Sequence, residues 1–293
     1  MSAPYQTIDT RWGTRNSHRL GQGNTLPYTG VPFGMNHFVL ETRPGEARFF
    51  HPEDGTAFGI RLTHQPSPWM GDFAWVTWQV ACLTDKEWDQ LKSPLSAEAS
   101  RELASSGYRG DLAQFRPGFL SYQRLRDGLQ VACCPTRDGA SLKVTPDRRY
   151  PKGHWVMSLV LAQSGWYELE GRQLSFYTNQ LAGSKYGQYG QYSSMQAPEG
   201  VSFKLCQVVS LGEGLQQLWL ELDGIEAVPS QFLHLEWVTS YISPDQLELN
   251  YQQSNFFGQS WDQQCAQTEA AWEAYLSRLT VSHREDKLVN RFY

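Results

Sequence analysis

Short apolar runs separated by turn residues cover most of the chain, and several of them alternate apolar with polar residues. In FLHLEWV, residues 232–238, the side chains of Leu233, Leu235 and Trp237 share one face, which is the pattern of a half-buried β-strand. Because many such strands follow one another with few helical patterns between them, we predict a mainly β fold, an antiparallel β-sandwich over residues 1–258. The strand-like runs are 153–165, 166–178, 201–212, 216–224 and 231–242.

Three stretches interrupt this pattern of strands. Asp127-Gly128 lies between two strand-like runs and predicts a hairpin turn. Residues 83–107 contain helix-forming and capping residues, so we expect helices near 85–105. Residues 181–200 are rich in Gly, Tyr, Gln and Ser without periodicity, which predicts a long loop, either a surface loop or the rim of a binding site.

The last part of the chain has helical periodicity instead. Ser260 fits an N-cap position, and the apolar residues after it predict a helix over 261–280. We assign 259–293 to a helical linker that follows the sandwich and leads to a further domain. The apolar face of this helix is expected to remain partly uncovered in the chain alone, which would then dimerise or lose order there. The residues at helical spacing are Cys265, Ala271, Trp272, Tyr275, Leu276 and Leu279.

Composition narrows the classes of partner. Charged residues make up 19% of the chain, aromatic residues 13%, and there are 11 tryptophans. Surface aromatic rings suit the C–H faces of sugars or a protein partner. The net charge of −5 and the absence of a Lys/Arg run argue against nucleic acid as a partner.

The N-terminus and the cysteines bear on where the protein works. The first residues lack a basic segment followed by an apolar one, and no apolar run has the length of a membrane span, so we expect a cytoplasmic protein without membrane contact. Five cysteines without a CxxC spacing fit reduced thiols better than disulfides or a zinc site. The neighbours Cys133 and Cys134 are expected to point to opposite faces of a strand.

Two segments are candidates for a site. Residues 21–38 combine four glycines with Pro27 and Pro32, which allows unusual backbone angles in a stiff loop. Residues 61–75 place Trp69 on a Pro-Ser-Pro sequence between His64 and Asp72. Taken alone, each segment is better explained as a structural loop. No GxSxG or HExxH motif and no grouped pair of carboxylates indicates catalysis within the chain.

Together, the two segments resemble the opening of glycoside hydrolase family 92, the inverting exo-α-mannosidases. The resemblance rests on Pro32-Phe33-Gly34-Met35, followed by Gly59, Thr63-His64 and Asp72-Phe73. It continues through a turn formed by Thr136, Arg137 and Gly139. The loop QPSPWMG after Thr63-His64 departs from the Ser/Gly-rich loop of many members, and Trp69 in it is expected to change the substrate preference.

The resemblance implies a supersandwich-like N-terminal domain that is followed by a catalytic (α/α)6 barrel. That barrel would carry the general acid, the general base and the calcium ligands, so we expect no catalytic or metal-binding residue in this chain, and no activity from the chain alone. The sandwich would supply substrate contacts to a mannose-rich, N-glycan-type oligosaccharide. The residues expected to contact it are Phe33, Gly34, His64, Trp69 and Asp72.

Two other readings remain open from the sequence. The chain could be a stand-alone carbohydrate-binding sandwich that works without a catalytic partner. It could also be an interaction domain whose aromatic patch binds protein. An unpaired apolar helix at the end of the chain favours the enzyme. Sugar binding would distinguish the enzyme and the carbohydrate-binding sandwich from the protein-binding domain.

Overall fold

A computed structural model describes residues 4–15, 25–65, 71–147, 153–180, 190–227, 232–253 and 259–278. The predicted β fold is confirmed. The strands are β1 (His37–Glu41), β2 (Thr56–Ala57), β3 (Gly59–Thr63), β4 (Val76–Leu83), β5 (Ser106–Gly107), β6 (Gln114–Arg116), β7 (Phe119–Gln123), β8 (Leu129–Pro135), β9 (Gly139–Pro146), β10 (His154–Ala162), β11 (Trp166–Glu170), β12 (Gln173–Thr178), β13 (Gln191–Gln196), β14 (Ser202–Gly212), β15 (Leu215–Asp223) and β16 (Leu233–Ser240).

The strands form two large antiparallel sheets that face each other. The first sheet has the order β1-β3-β4-β10-β15-β14, and the second has the order β11-β12-β13-β16-β9-β8-β7-β6. Strands β2 and β5 form a separate pair. The core between the large sheets contains Phe38 and Trp78 from the first sheet and Phe176 and Trp237 from the second, all fully buried. The alternation in β16 is as predicted, since Leu233, Leu235 and Trp237 point into this core.

Helices lie on the outer faces of both sheets. The α-helices of the described residues are α1 (Pro4–Thr7), α2 (Asp85–Lys92), α3 (Ala97–Ala104), α4 (Pro244–Gln253) and α5 (Trp261–Leu276). Two of them, α2 and α3, cover the first sheet, where Trp88 and Leu103 pack against Trp219. The other sheet is covered by α4, through Leu247 and Tyr251, and by α5, through Trp261.

The helices confirm one prediction and correct another. The stretch 85–105 forms α2 and α3, and α2 begins with a capping box between Thr84 and Glu87. Helix α4 was not predicted, because its residues were assigned to the sandwich. The sequence does carry a start for it: Pro244 is the first helical residue, where a missing N–H costs nothing, and Ser243 Oγ accepts the backbone N–H of Gln246 at 3.1 Å.

The predicted loop 181–200 is partly wrong, because β13 occupies its second half and pairs with β12 and β16 inside the second sheet. Its inward positions are Gln191, Ser193 and Met195, so two of the three inward side chains are polar and the apolar alternation is hidden. Residues 181–189 lie outside the described residues.

Helix α5 is tied to the sandwich by specific contacts. The indole of Trp272 donates to the backbone oxygen of Gly30 at 2.8 Å, and Glu273 accepts the backbone N–H of Tyr5 at 2.8 Å. Trp272, which we expected on an uncovered face, is therefore partly buried by its own chain, whereas Tyr275 remains 40% exposed. The boundary between 258 and 259 stays a prediction, and Leu279, Phe292 and Tyr293 lie outside the described residues.

Candidate functional site

A buried ion-pair network stands at the base of the segment that was singled out between residues 61 and 75. The guanidinium of Arg61 binds Glu41 Oε1 at 3.0 Å and Asp72 Oδ2 at 2.8 Å, and the side chains of all three residues are at most 6% exposed. The rings of Phe49 and Trp75 lie 4.1 Å and 3.9 Å from its central carbon. Arg61 therefore joins β1, β3 and the segment after Gly71 in one rigid unit.

Asp72 binds described residues on both sides of 66–70, a segment that lies outside the described residues. Its Oδ1 accepts the backbone N–H groups of His64 and Phe73, each at 2.9 Å. Its Oδ2 accepts the hydroxyl of Thr63 at 2.7 Å as well as the guanidinium of Arg61. A buried carboxylate with this many donors is well compensated, so Asp72 has a structural role here.

His64 lies above this network and is partly buried. Its Nδ1 is 2.7 Å from the backbone oxygen of Phe73, which only accepts, so Nδ1 carries the proton of the neutral ring. Its Nε2 lies 3.1 Å from Asn36 Oδ1 and 3.4 Å from the donating amide of Gln191. Burial lowers the pKa of His64 to about 4, so the imidazole is neutral at pH 7.

Aromatic rings surround this histidine. Phe73 stacks on its ring at a centroid distance of 4.8 Å, and Tyr241 meets it edge-on at 5.2 Å. Asn36, fully buried, continues the polar contacts to Thr239 through a hydrogen bond of 2.8 Å. The end of β16 and the two singled-out segments therefore meet at this one end of the sandwich.

The turn Val31–Gly34 presents an aromatic ring to solvent. It closes with a hydrogen bond from Gly34 N to Val31 O at 3.0 Å, with Pro32 second and Phe33 third. Phe33 has a φ of 61°, a left-handed conformation that costs a bulky residue about 1–2 kcal/mol, and yet its side chain is 86% exposed. A Cβ on Gly34 would lie 2.6 Å from Val31 Cγ2, which explains a glycine at that position.

Strained backbone concentrates in the two singled-out segments. Among the described residues, three non-glycine residues have a positive φ, and two of these are Phe33 and Ala74. Ala74 has a φ of 47°, is fully buried and donates its N–H to Gln180 O at 2.8 Å. The third, Glu213, lies in the hairpin between β14 and β15, where a left-handed residue is ordinary.

A cleft of about 410 Å³ opens beside this turn, under α5. It lies between Val31 and Pro32 on one side and the turn that contains Arg137 on the other. Side-chain amides dominate its remaining wall. They belong to Gln253, Gln259, Gln264 and Gln267.

Comparisons with known proteins identify the first half of the chain. The sequence profile of the Glycosyl hydrolase family 92 N-terminal domain matches residues 7–145. This part of the chain matches the family 92 N-terminal domain. Both singled-out segments and the turn with Thr136, Arg137 and Gly139 fall within it, so the resemblance drawn from those residues is confirmed. No curated protein matches the sequence.

Solved structures show that the family 92 fold extends over nearly the whole chain. An inverting mannosidase of this family from Bacteroides thetaiotaomicron matches with a TM-score of 0.81 and 20% identity, covering 99% of this chain. A family 92 α-mannosidase from the same organism matches with a TM-score of 0.70 and 15% identity, covering 98% of this chain. At these identities the likeness shows the fold. The chain spans 38% and 39% of the lengths of those two proteins.

The residues predicted for the site are only partly brought together. His64 and Asp72 lie in one network, in which Asp72 supports the loop and His64 faces Asn36 and Tyr241. Phe33 lies in the neighbouring turn and packs against Tyr275 of α5 at 5.3 Å between centroids. Trp69 lies outside the described residues, so its predicted exposure next to Phe33 and Gly34 stays a prediction.

Sequence reasoning missed the residues that hold this site together. Arg61 is the first residue of segment 61–75, but its two carboxylate partners are eleven residues later and twenty residues earlier in the chain. Asn36 and Gln191 are 155 residues apart and share a hydrogen bond of 2.8 Å. Only the pairing of strands across the sandwich reveals such contacts.

The calcium expected for the family finds no suitable ligands among the described residues. No group of three His, Cys, Asp or Glu side chains converges there. The neighbouring buried carboxylates Glu41 and Asp72 are both bound to Arg61, and a calcium ion would have to displace that charge.

Within the described residues, no helix is long and apolar enough to cross a membrane.

Proposed function

We propose that this chain forms the substrate-contacting sandwich of a glycosidase, a calcium-dependent inverting exo-α-mannosidase acting on mannose-rich, N-glycan-type oligosaccharides. The catalytic acid, the base and the calcium ligands would reside in a further, C-terminal domain, an (α/α)6 barrel, to which α5 leads. The sandwich would close one side of the pocket. We further propose that the protein is cytoplasmic.

The exposed and strained Phe33 is the observation that carries this proposal. A ring that is 86% exposed gains little from the hydrophobic effect, and its left-handed backbone costs the fold energy. Such an arrangement is expected where the ring meets a ligand. A flat ring held by a Pro-Phe-Gly turn suits the C–H face of a sugar, because little side-chain freedom is lost on binding.

The network around Arg61 supports the second contact surface. Trp69 lies in a five-residue segment whose flanking residues are fixed by Asp72. Two prolines in this segment restrict its backbone further. We infer that Trp69 stacks on the sugar. Because many members have a Ser/Gly-rich loop here, the bulkier Trp69 would reshape the leaving-group side of the pocket.

His64 and Asn36 would support the same surface from below. Asn36 is fully buried, and both ring nitrogens of His64 face polar atoms of the protein, so the two residues would hold the loop in place. The neutral imidazole offers no positive charge to an acidic sugar. Asp72 and Gly34 would then act by positioning, the first through its hydrogen bonds and the second through the tight turn. The chain alone would be inactive, because inversion needs an acid and a base about 6.5–9.5 Å apart around a water.

The proposal is tested by comparing this chain with the complete product of the open reading frame that contains it. Release of mannose from a mannose-terminated oligosaccharide is measured for both, with and without a calcium chelator. We expect hydrolysis only from the complete product, loss of it on chelation, and a first-formed sugar of inverted anomeric configuration by NMR.

Two results would contradict it. Mannose release by the chain alone would place a catalytic pair within residues 1–293. A complete product that ends near residue 293 and binds mannose oligosaccharides without hydrolysis would favour the stand-alone carbohydrate-binding module.

A further inference from the structure

We propose that Cys134 and Cys265 are a disulfide-forming pair that can staple helix α5 to strand β8. Cys134 is in β8 and fully buried on the outer face of the second sheet, beneath α5. Cys265 is in α5, partly buried, and packs against the same cluster around Ala132 and Trp261. This inference is independent of the proposed mannosidase function.

The two thiols are held next to each other by the fold. Cys134 Sγ donates to Thr268 Oγ1 at 3.7 Å, and Thr268 Oγ1 donates to Pro135 O at 2.8 Å. Thr268 is three residues after Cys265 and therefore on the same face of the helix. A hydrogen bond between the two thiols, together with burial, raises the pKa of Cys265.

The neighbouring Cys133 has no such opportunity. It points into the core between the sheets, as predicted from the alternation of a strand, and is fully buried there. Cys82 and Cys206 lie on strands β4 and β14 of the other sheet. Of the five free cysteines, the structure therefore selects one pair, which is 131 positions apart in the sequence.

The oxidant we name is a small disulfide such as oxidised glutathione. The thiolate of Cys265, the more accessible of the two, attacks the small disulfide and releases one small thiol. Cys134 then loses its proton and attacks the Cys265 sulfur of the mixed disulfide, which releases the second small thiol. Two protein thiols and one small disulfide thus give one protein disulfide and two small thiols. The raised pKa of Cys265 leaves little thiolate at neutral pH, so the exchange is slow.

The consequence of the bond concerns the turn that carries Phe33. Helix α5 contacts Phe33 of this turn through Tyr275, and Gly30 just before the turn through Trp272. A bond to β8 would hold the helix on the sandwich when it would otherwise separate. The closed loop of 131 residues is long, so the oxidised chain should melt higher by about 5–10 °C.

The test counts free thiols in the denatured chain before and after incubation with oxidised glutathione and removal of the excess. We expect the five thiols of the native sequence to fall to three, those of Cys265→Ser to stay at four, and those of the control Cys206→Ser to fall from four to two. Digestion without reduction should give a peptide pair joined through residue 265, and the melting temperature should rise.

Three outcomes would overturn the inference. The thiol count stays at five in the native sequence, Cys265→Ser loses two thiols like the control, or the oxidised protein is a covalent dimer. An oxidised chain with the 134–265 link but an unchanged melting temperature would refute the staple. Cys265 is only partly buried, so Cys265→Ser is expected to fold. A circular dichroism spectrum checks the fold of this variant before thiols are counted.

Discussion

The ion pairs of Arg61 offer the sharpest test of how the site is supported. Arg61→Met keeps an unbranched apolar stem between the rings of Phe49 and Trp75 but removes the guanidinium. Two carboxylates, Glu41 and Asp72, then lose their counter-ion while they remain buried, since their side chains are only 4% and 3% exposed. Breaking a buried ion pair in this way costs about 3–5 kcal/mol of the free energy of unfolding.

The measurement is urea-induced unfolding followed by tryptophan fluorescence. We expect the midpoint to fall by the amount that corresponds to about 3–5 kcal/mol, with an unchanged slope. The matched control is Arg109→Met, because Arg109 binds Asp111 at 2.5 Å but the two side chains are 59% and 63% exposed. That variant should lose less than about 1 kcal/mol.

The carboxylates provide a second check. If the penalty comes from their unpaired charge, adding Glu41→Gln and Asp72→Asn to Arg61→Met should recover part of the lost stability. An Arg61→Met variant that is no less stable than Arg109→Met would refute the reasoning, because the network would then contribute no more than an exposed ion pair.

Two further predictions concern pH and a close approach of the backbone. The folded-state pKa of His64 is about 4, below its unfolded value of about 6.5. Its contribution to stability is therefore complete above pH 6.5 and is lost as the pH falls toward 4, by up to about 3 kcal/mol. Unfolding curves at pH 7 and pH 4.5 should show a loss of stability that His64→Gln lacks, and equal losses in both proteins would contradict the lowered pKa. Gly139→Ala should lower the free energy of unfolding by more than about 3 kcal/mol, since the added Cβ would lie 1.8 Å from Trp237 O. The control Gly55→Ala, whose added Cβ would have nothing within 4 Å, should change it by less than about 1 kcal/mol in calorimetry. Similar melting temperatures for the two variants would count against the packing of β9 on β16.

The sequence predicted best where one face of an element is dry. The alternation of β16, the opposite orientations of Cys133 and Cys134 and the helices near 85–105 all follow from local periodicity, because the core removes one set of side chains from water. The motif Pro32-Phe33-Gly34-Met35 pointed to the turn that the structure finds strained and exposed.

What the sequence concealed depends on contacts between distant strands. Inside β13, Gln191 and Ser193 occupy core positions as polar residues, so no apolar period marked the strand. Arg61 could not be recognised as the centre of a network, since Glu41 and Asp72 come from different segments. Helix α4 was missed although Ser243-Pro244 marks its start, because residues up to 258 were assigned to the sandwich as a whole.

The most direct test of the proposed function is to measure kcat/KM on a mannose-terminated oligosaccharide together with the melting temperature, for Phe33→Ala and Trp69→Ala in the complete protein. Losing a stacking ring removes about 1–3 kcal/mol of substrate interaction, so kcat/KM should fall by about 5- to 150-fold. Both variants should melt within about 2 °C of the parent, since Phe33 is 86% exposed and Trp69 is proposed to be a surface ring. The control Trp166→Ala, on edge strand β11 and 42% exposed, should leave kcat/KM unchanged. Folded Phe33→Ala and Trp69→Ala proteins with undiminished kcat/KM would contradict the account.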